Sequence, residues 1–119
     1  MVTLMTINLV YSCFLFLLLH IFVWFSSNSQ FISESWNQKS FYIMLGVSIP
    51  ISLCAYYASR LGYAELGDSA WGVRFLAFGT SYLVFPLLTY MMLGESMFTL
   101  KTLICVALSI VIISIQIWL

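Results

Sequence analysis

Residues 3–25 read TLMTINLVYSCFLFLLLHIFVWF, a run without a single charged side chain. An α-helix of about 20 apolar residues crosses the roughly 30 Å hydrocarbon core of a bilayer, so this run predicts a membrane-spanning helix. Three more predominantly apolar runs follow, at about 41–60, 70–93 and 99–118. The sequence therefore predicts an all-α integral membrane protein, a single domain over residues 1–119 with four transmembrane helices and short loops.

The composition of the whole chain agrees with this prediction. Its 119 residues include four Lys or Arg and four Asp or Glu, the formal net charge is zero, and 63% of the side chains are hydrophobic. Soluble domains average about 25% charged residues, so these charges are too few to cover a water-facing surface. Disorder requires low hydrophobicity and high charge, and nucleic-acid binding requires a cationic excess. The composition excludes both.

The first apolar run has an alternative interpretation as a cleaved secretory signal peptide. No Lys or Arg precedes the run, and it is longer than the roughly 7–15 apolar residues of a signal core, so we expect a retained helix. Four helices would place both termini on the same side of the membrane, and we expect a multi-pass protein of the cell membrane, the inner one where there are two.

The basic residues are divided equally between the two predicted sides. Arg60 and Arg74 lie on the side of the second loop, whereas Lys39 and Lys101 lie on the side of the first and third loops. Cytoplasmic loops normally carry an excess of Lys and Arg. The balance here predicts that the chain inserts in both orientations and pairs as an antiparallel homodimer, unless other signals fix one orientation.

Polar and aromatic side chains share one face of the third predicted helix. At 100° per residue they fall within an arc of about 100°, and polar residues inside a membrane face the interior of a helix bundle. Arg74 lies only about 6 Å into the helix at 1.5 Å per residue, so it can alternatively snorkel to the lipid headgroups. We expect this face to line a substrate cavity through Arg74, Phe78, Ser81, Tyr82 and Phe85.

His20 is the only histidine and lies about two-thirds of the way through the first predicted helix. A mid-membrane imidazole relays protons near neutral pH or serves as a neutral hydrogen-bonding residue of the core. His20 is therefore a further candidate for the cavity. Glu65 and Asp68 lie beside two glycines in the second loop and predict a solvated turn.

Small residues form stripes on two other predicted helices. Helices in lipid associate through close packing of small residues and through hydrogen bonds, so we expect these stripes to be dimer or helix-packing contacts. The sequence has no metal-ligand spacing and no catalytic arrangement, which predicts no enzymatic activity, no metal and no cofactor. The stripes are Ser48, Ser52, Ala55 and Ser59 in the second helix, and Thr102, Cys105 and Ser109 in the fourth.

The C-terminal half resembles the closing helix pair of the drug/metabolite transporter superfamily, whose smallest members are the four-helix small multidrug resistance proteins. The similarity lies in Ala70-Trp71, in Leu87-Leu88-Thr89-Tyr90, and in Leu93-Gly94-Glu95, where Gly94 and Glu95 match the turn between the last two helices of a family repeat. The resemblance implies antiparallel dimers, a cavity between the first three helices of both subunits and contacts between fourth helices.

One departure from that family changes the expected solute. Small multidrug resistance proteins export cations in exchange for protons through a glutamate in the first helix, and the first helix here has no acidic residue. A cavity lined by Arg74 and His20 would repel cations, more strongly at low dielectric. We therefore expect a dimeric transporter of a small polar or anionic solute, in contact with membrane lipid. The alternatives are a non-transporting structural or accessory subunit of a larger membrane complex and, less favoured, a small oligomeric pore.

Overall fold

The computed structural model of the chain describes residues 2–118, and it describes side chains for residues 7–116 and 118. All regular secondary structure within these residues is helical, which confirms the all-α prediction. There are four α-helices, with a short 3-10 helix between the first two. They are α1 (Val2–Asn28), the 3-10 helix (Ser29–Phe31), α2 (Glu34–Glu65), α3 (Ala70–Leu93) and α4 (Leu100–Trp118).

Three of the segments are long and apolar enough to cross a membrane: Ile7–Phe31, Glu34–Glu65 and Ala70–Leu93. The fourth is shorter, with an apolar stretch over Leu100–Gln116. The fold is therefore a bundle of four helices, of which three have the length and composition of membrane spans.

The second helix is longer than its apolar run at both ends. It begins at Glu34 because Ser33 caps it: the Ser33 hydroxyl accepts a hydrogen bond from the Trp36 backbone N–H at 3.4 Å. Its first turns are polar, so hydropathy alone does not include them. At the other end the helix continues to Glu65, and the chain then turns at Gly67 and Asp68, both with positive φ.

The third helix covers the residues predicted for it because the sequence carries a signal at each end. The Ser69 hydroxyl accepts from the Gly72 N–H at 2.9 Å, which is an N-terminal cap. Gly94 has a φ of 69° and ends the helix in the left-handed conformation that glycine adopts without a Cβ penalty.

The first helix is the centre of the bundle. It packs antiparallel to α2 and parallel to α3, whereas α4 packs mainly against α3. Buried Phe16, Ala58 and Val73 form the core where α1, α2 and α3 meet. Trp24 is only 2% exposed, and its Nε1 donates to the Thr89 hydroxyl at 3.0 Å. These contacts make α1, α2 and α3 one packed unit, to which α4 is attached through α3.

Candidate functional site

An open groove of about 990 Å³ lies between α2 and α3, with α1 as its floor. It forms because α2 and α3 both pack against α1 and make few contacts with each other. Each of the three helices contributes to its walls. The lining residues are Phe16, Leu19 and His20 of α1, Ala55, Tyr56, Ser59, Arg60 and Tyr63 of α2, and Ala70, Val73, Arg74 and Ala77 of α3.

Two arginines give the groove its charge. Arg60 lies near the end of α2 and Arg74 near the start of α3, so both lie at the end of the groove closest to the turn that joins these helices. None of the described lining residues is acidic. Two like charges that share a cavity with low-dielectric walls attract anions and repel cations.

His20 lies at the deeper end of the groove and is held by α3. Its Nε2 is 2.8 Å from the Ala77 carbonyl oxygen and 3.0 Å from the Thr80 hydroxyl oxygen. A carbonyl oxygen only accepts hydrogen bonds, so Nε2 is the donor in the contact with Ala77. His20 also lines a second pocket of about 250 Å³ with Trp24 and Asn28. The imidazole thus stands between two cavities.

The six residues predicted to line one cavity lie in different surroundings. Arg74 and His20 line the groove. Ser81 and Phe85 line the 250 Å³ pocket on the other side of His20. Tyr82 contacts α4 instead, because its hydroxyl lies 2.9 Å from the Ser109 hydroxyl.

Phe78 is the sixth of these residues and is partly exposed. Its ring packs edge-on against that of Tyr82, with the two ring centroids 5.4 Å apart. The predicted face of α3 is wide. α1 packs against one side of this face and α4 against the other, so its residues do not line one common cavity. Only its N-terminal end, at Arg74, faces the groove.

The predicted packing stripes also have different surroundings. Ala55 and Ser59 line the groove, whereas Ser48 and Ser52, farther along α2, are exposed. On α4, Thr102 and Cys105 line a pocket of about 180 Å³ against α3, and Ser109 contacts Tyr82. The α4 stripe therefore faces α3 within the same chain.

Three groove residues on α2 were not among the predicted cavity residues: Tyr56, Arg60 and Tyr63. Arg60 was assigned only a role in membrane orientation. A signal was present, since the three positions recur at i, i+4 and i+7 and therefore share one face of a helix.

The prediction of a solvated turn is wrong for Glu65. This residue is the last of α2, and its Oε1 accepts a hydrogen bond from the Asn8 side chain of α1 at 3.4 Å. Its Oε2 is buried and has no hydrogen-bond partner among the described residues. Asp68 does lie exposed in the turn. Glu65 therefore contributes to the contact between α1 and α2, outside the groove lining.

The turn at Gly94 and Glu95 has a structural explanation of its own. The Gly94 N–H donates to the Tyr90 carbonyl at 3.0 Å and the Glu95 N–H to the Thr89 carbonyl at 3.4 Å. These bonds satisfy carbonyls at the end of α3, which is the usual function of a left-handed glycine cap. The Glu95 side chain lines the 180 Å³ pocket beside Thr102.

Comparison with protein-family models, with curated proteins and with solved structures finds no match to this chain. The similarity to drug/metabolite transporters therefore rests on the sequence motifs alone. Among residues with described side chains, no group of three or more His, Cys, Asp or Glu is placed to hold a metal ion.

Proposed function

We propose that the chain is a multi-pass membrane protein that binds a small polar or anionic solute in the groove and carries it across the membrane as a dimer. The observation that carries this proposal is the lining of the groove, which combines Arg60, Arg74 and His20 with no described acidic residue. Low-dielectric surroundings strengthen the attraction of such a lining for an anion.

Insertion into a membrane is supported by the surface of the bundle. Large apolar side chains are exposed on all four helices, which is unfavourable in water and ordinary in lipid. We propose that α4 is the fourth span, with Lys101 and Trp118 near the two membrane surfaces, and that the cell or inner membrane is its location.

The type of transporter is proposed from the sequence motifs together with the place of the groove. The small multidrug resistance-like pattern implies a cavity between the first three helices, and the groove lies between α1, α2 and α3. The groove is open in a single chain, so a second copy, in antiparallel orientation, would close it. The equal division of basic residues between the two ends favours that arrangement.

A non-transporting accessory subunit is the second candidate. It is favoured by α4, which packs mainly against α3 and exposes apolar residues on its other faces, including Leu103, Leu108 and Ile112. These faces would suit contacts with the helices of a larger complex.

Uptake into proteoliposomes tests the transporter proposal. The purified full chain is reconstituted, and uptake of radiolabelled phosphate, lactate and guanidinium is compared with that of protein-free vesicles. We expect uptake of at least one anion and none of guanidinium. Because a charge-assisted hydrogen bond contributes about 1.5–3 kcal/mol, we expect Arg74→Ala to reduce anion uptake about tenfold or more.

Lys101→Ala is the matched control, because it removes a positive charge that lies outside the groove. Both variants change the balance of basic residues between the two sides by one, but only Arg74 lines the groove, so anion uptake by Arg74→Ala should be about tenfold lower than uptake by Lys101→Ala. Uptake of guanidinium in preference to both anions would contradict the proposed charge selectivity. Absence of all uptake, with stoichiometric co-purification of a larger complex, would instead favour the accessory subunit.

A further inference from the structure

The groove is charged at one end and mainly apolar along the rest of its length. Arg60, Arg74 and Tyr63 lie at the end near the turn between α2 and α3. Away from them, on all three helices, the lining is mainly apolar: it consists of Phe16, Leu19, Ala55 and Ala77 with the ring of Tyr56, and His20 ends it. Its wall on α3 extends from Ala70 to Ala77, which at 1.5 Å per residue is about 10 Å.

A small inorganic anion would fill only a small part of the groove. At about 990 Å³ it is at the upper end of the roughly 300–1,000 Å³ typical of pockets for organic ligands. A phosphate ion held by Arg60 and Arg74 would leave most of the apolar wall uncovered. A ligand with an apolar body would cover this wall and gain the free energy of apolar burial.

We propose that the ligand of the groove is a lipid-like amphiphile with an anionic phosphomonoester head. The head lies between Arg60 and Arg74, and the apolar body extends along Phe16, Ala55 and Ala77 toward the middle of the bundle. This inference rests on the proposed binding of anions in the same groove and adds the class of anion.

The chemistry of the two arginines favours a phosphomonoester head. A guanidinium group donates two parallel hydrogen bonds to phosphate oxygens, and a dianionic head balances two cations. A zwitterionic head would place its own cation beside these arginines. The acidic residues nearest in sequence, Glu65 and Asp68, are not among the lining residues, so they do not occupy the arginines within the groove.

Three ligands separate the contribution of the head from that of the body. Binding of lysophosphatidic acid, of lysophosphatidylcholine with the same acyl chain and of glycerol 3-phosphate is measured on the detergent-solubilised full chain by native mass spectrometry. We expect lysophosphatidic acid to bind at least tenfold more tightly than either of the others. Arg60→Ala and Arg74→Ala should each weaken its binding about tenfold, and Lys101→Ala should leave it unchanged.

A second pair of variants tests the apolar end. Ala55→Phe places a ring in the groove wall, whereas Ala107→Phe adds the same ring to an exposed position on α4. We expect Ala55→Phe to weaken binding of lysophosphatidic acid and to leave that of glycerol 3-phosphate unchanged, and Ala107→Phe to change neither. Circular dichroism and size-exclusion profiles establish that each variant is folded before its binding is measured.

Two results would overturn the inference. If glycerol 3-phosphate binds as tightly as lysophosphatidic acid and depends on the arginines, the ligand is a free anion, and the proposed anion transport stands without the lipid. If lysophosphatidylcholine binds as tightly as lysophosphatidic acid, the apolar chain adsorbs without recognition of the head.

Discussion

α1 and α2 approach closely where the Ser12 hydroxyl packs against Gly62, which has no side chain. The Ser12 hydroxyl donates to the Ala58 carbonyl at 2.7 Å, and both residues are fully buried. Gly62 lies against the same hydroxyl, and a Cβ atom added there would be only 2.9 Å from the Ser12 Oγ. Because helices in lipid associate through such close packing and hydrogen bonds, this contact stabilises the floor of the groove.

Replacement of Gly62 by alanine should therefore separate the two helices. We expect Gly62→Ala to lower the free energy of unfolding by about 1–3 kcal/mol, as overpacked cores do. In a Ser12→Ala background the atom that clashes is gone, so the same replacement should be less harmful. Equilibrium unfolding in mixed micelles, arranged as a double-mutant cycle, measures this coupling.

Gly46 provides the control for this cycle. It also lies inside α2, but nothing is within 4 Å of a Cβ atom added there. Gly46→Ala should leave stability unchanged or raise it by about 0.5–1 kcal/mol, because alanine is the better helix former. Equal losses at positions 46 and 62 would show that the glycines matter for reasons other than helix contact.

At the scale of single helices, an end was predictable where the capping residue coincides with the limit of the apolar run. Ser69 and Gly94 bound α3, and both are visible in the sequence as an N-cap residue and a C-terminal glycine. The start of α2 was not predictable from hydropathy, because the turns that follow Ser33 are polar. A search for apolar runs finds the part of a helix that can lie in lipid, and the cap determines where that helix begins.

The candidate site was predictable only in part, for a related reason. Periodicity shows which residues share a face of one helix, as it does for Arg74 and Tyr82. It does not show which neighbour that face meets. The structure places α1 beside one edge of this face and α4 beside the other, so Arg74 lines the groove while Tyr82 binds Ser109. Arg60 was missed because a charge near a helix end also has an ordinary explanation in membrane orientation.

The turn between α3 and α4 yields a prediction that separates capping from a family-specific role. Gly94 has a φ of 69° with open space around it, so Gly94→Ala should lower stability by about 1–2 kcal/mol through backbone strain alone. Gly94→Asn should lower it less, because asparagine tolerates this conformation. Unfolding in mixed micelles measures both, with Glu95→Ala as a control for the neighbouring residue.

If Gly94→Asn is as harmful as Gly94→Ala, the glycine serves something other than its backbone angle, such as close approach of a second subunit. In that case helix capping alone would not explain Gly94, and the match of Gly94 and Glu95 to the turn of the transporter family would be stronger support for the resemblance.

At the scale of the whole molecule, the four basic residues lie in pairs at opposite ends of the bundle, and one pair lines the groove. Arg60 and Arg74 lie at one end of the bundle, where they line the groove. Lys39, in the second turn of α2, and Lys101, at the start of α4, lie at the opposite end. We propose that the two arginines have two effects: they attract an anion to the groove, and they balance the two lysines, so that the basic residues favour neither orientation. An antiparallel dimer would place one such cationic groove at each membrane surface.

The antiparallel dimer requires that the chain inserts in both orientations. Reporter proteins fused to the C-terminus measure the orientation. Green fluorescent protein reports a cytoplasmic C-terminus and alkaline phosphatase an external one, and we expect both to be active on the wild-type chain. Added lysines at exposed Gln30 and Gln38 should draw the first-loop end into the cytoplasm. Phosphatase activity should then rise and fluorescence fall, whereas Lys39→Gln should do the reverse. Activity of a single reporter on the wild-type chain would mean that other signals fix its orientation, and the antiparallel dimer would fail with it.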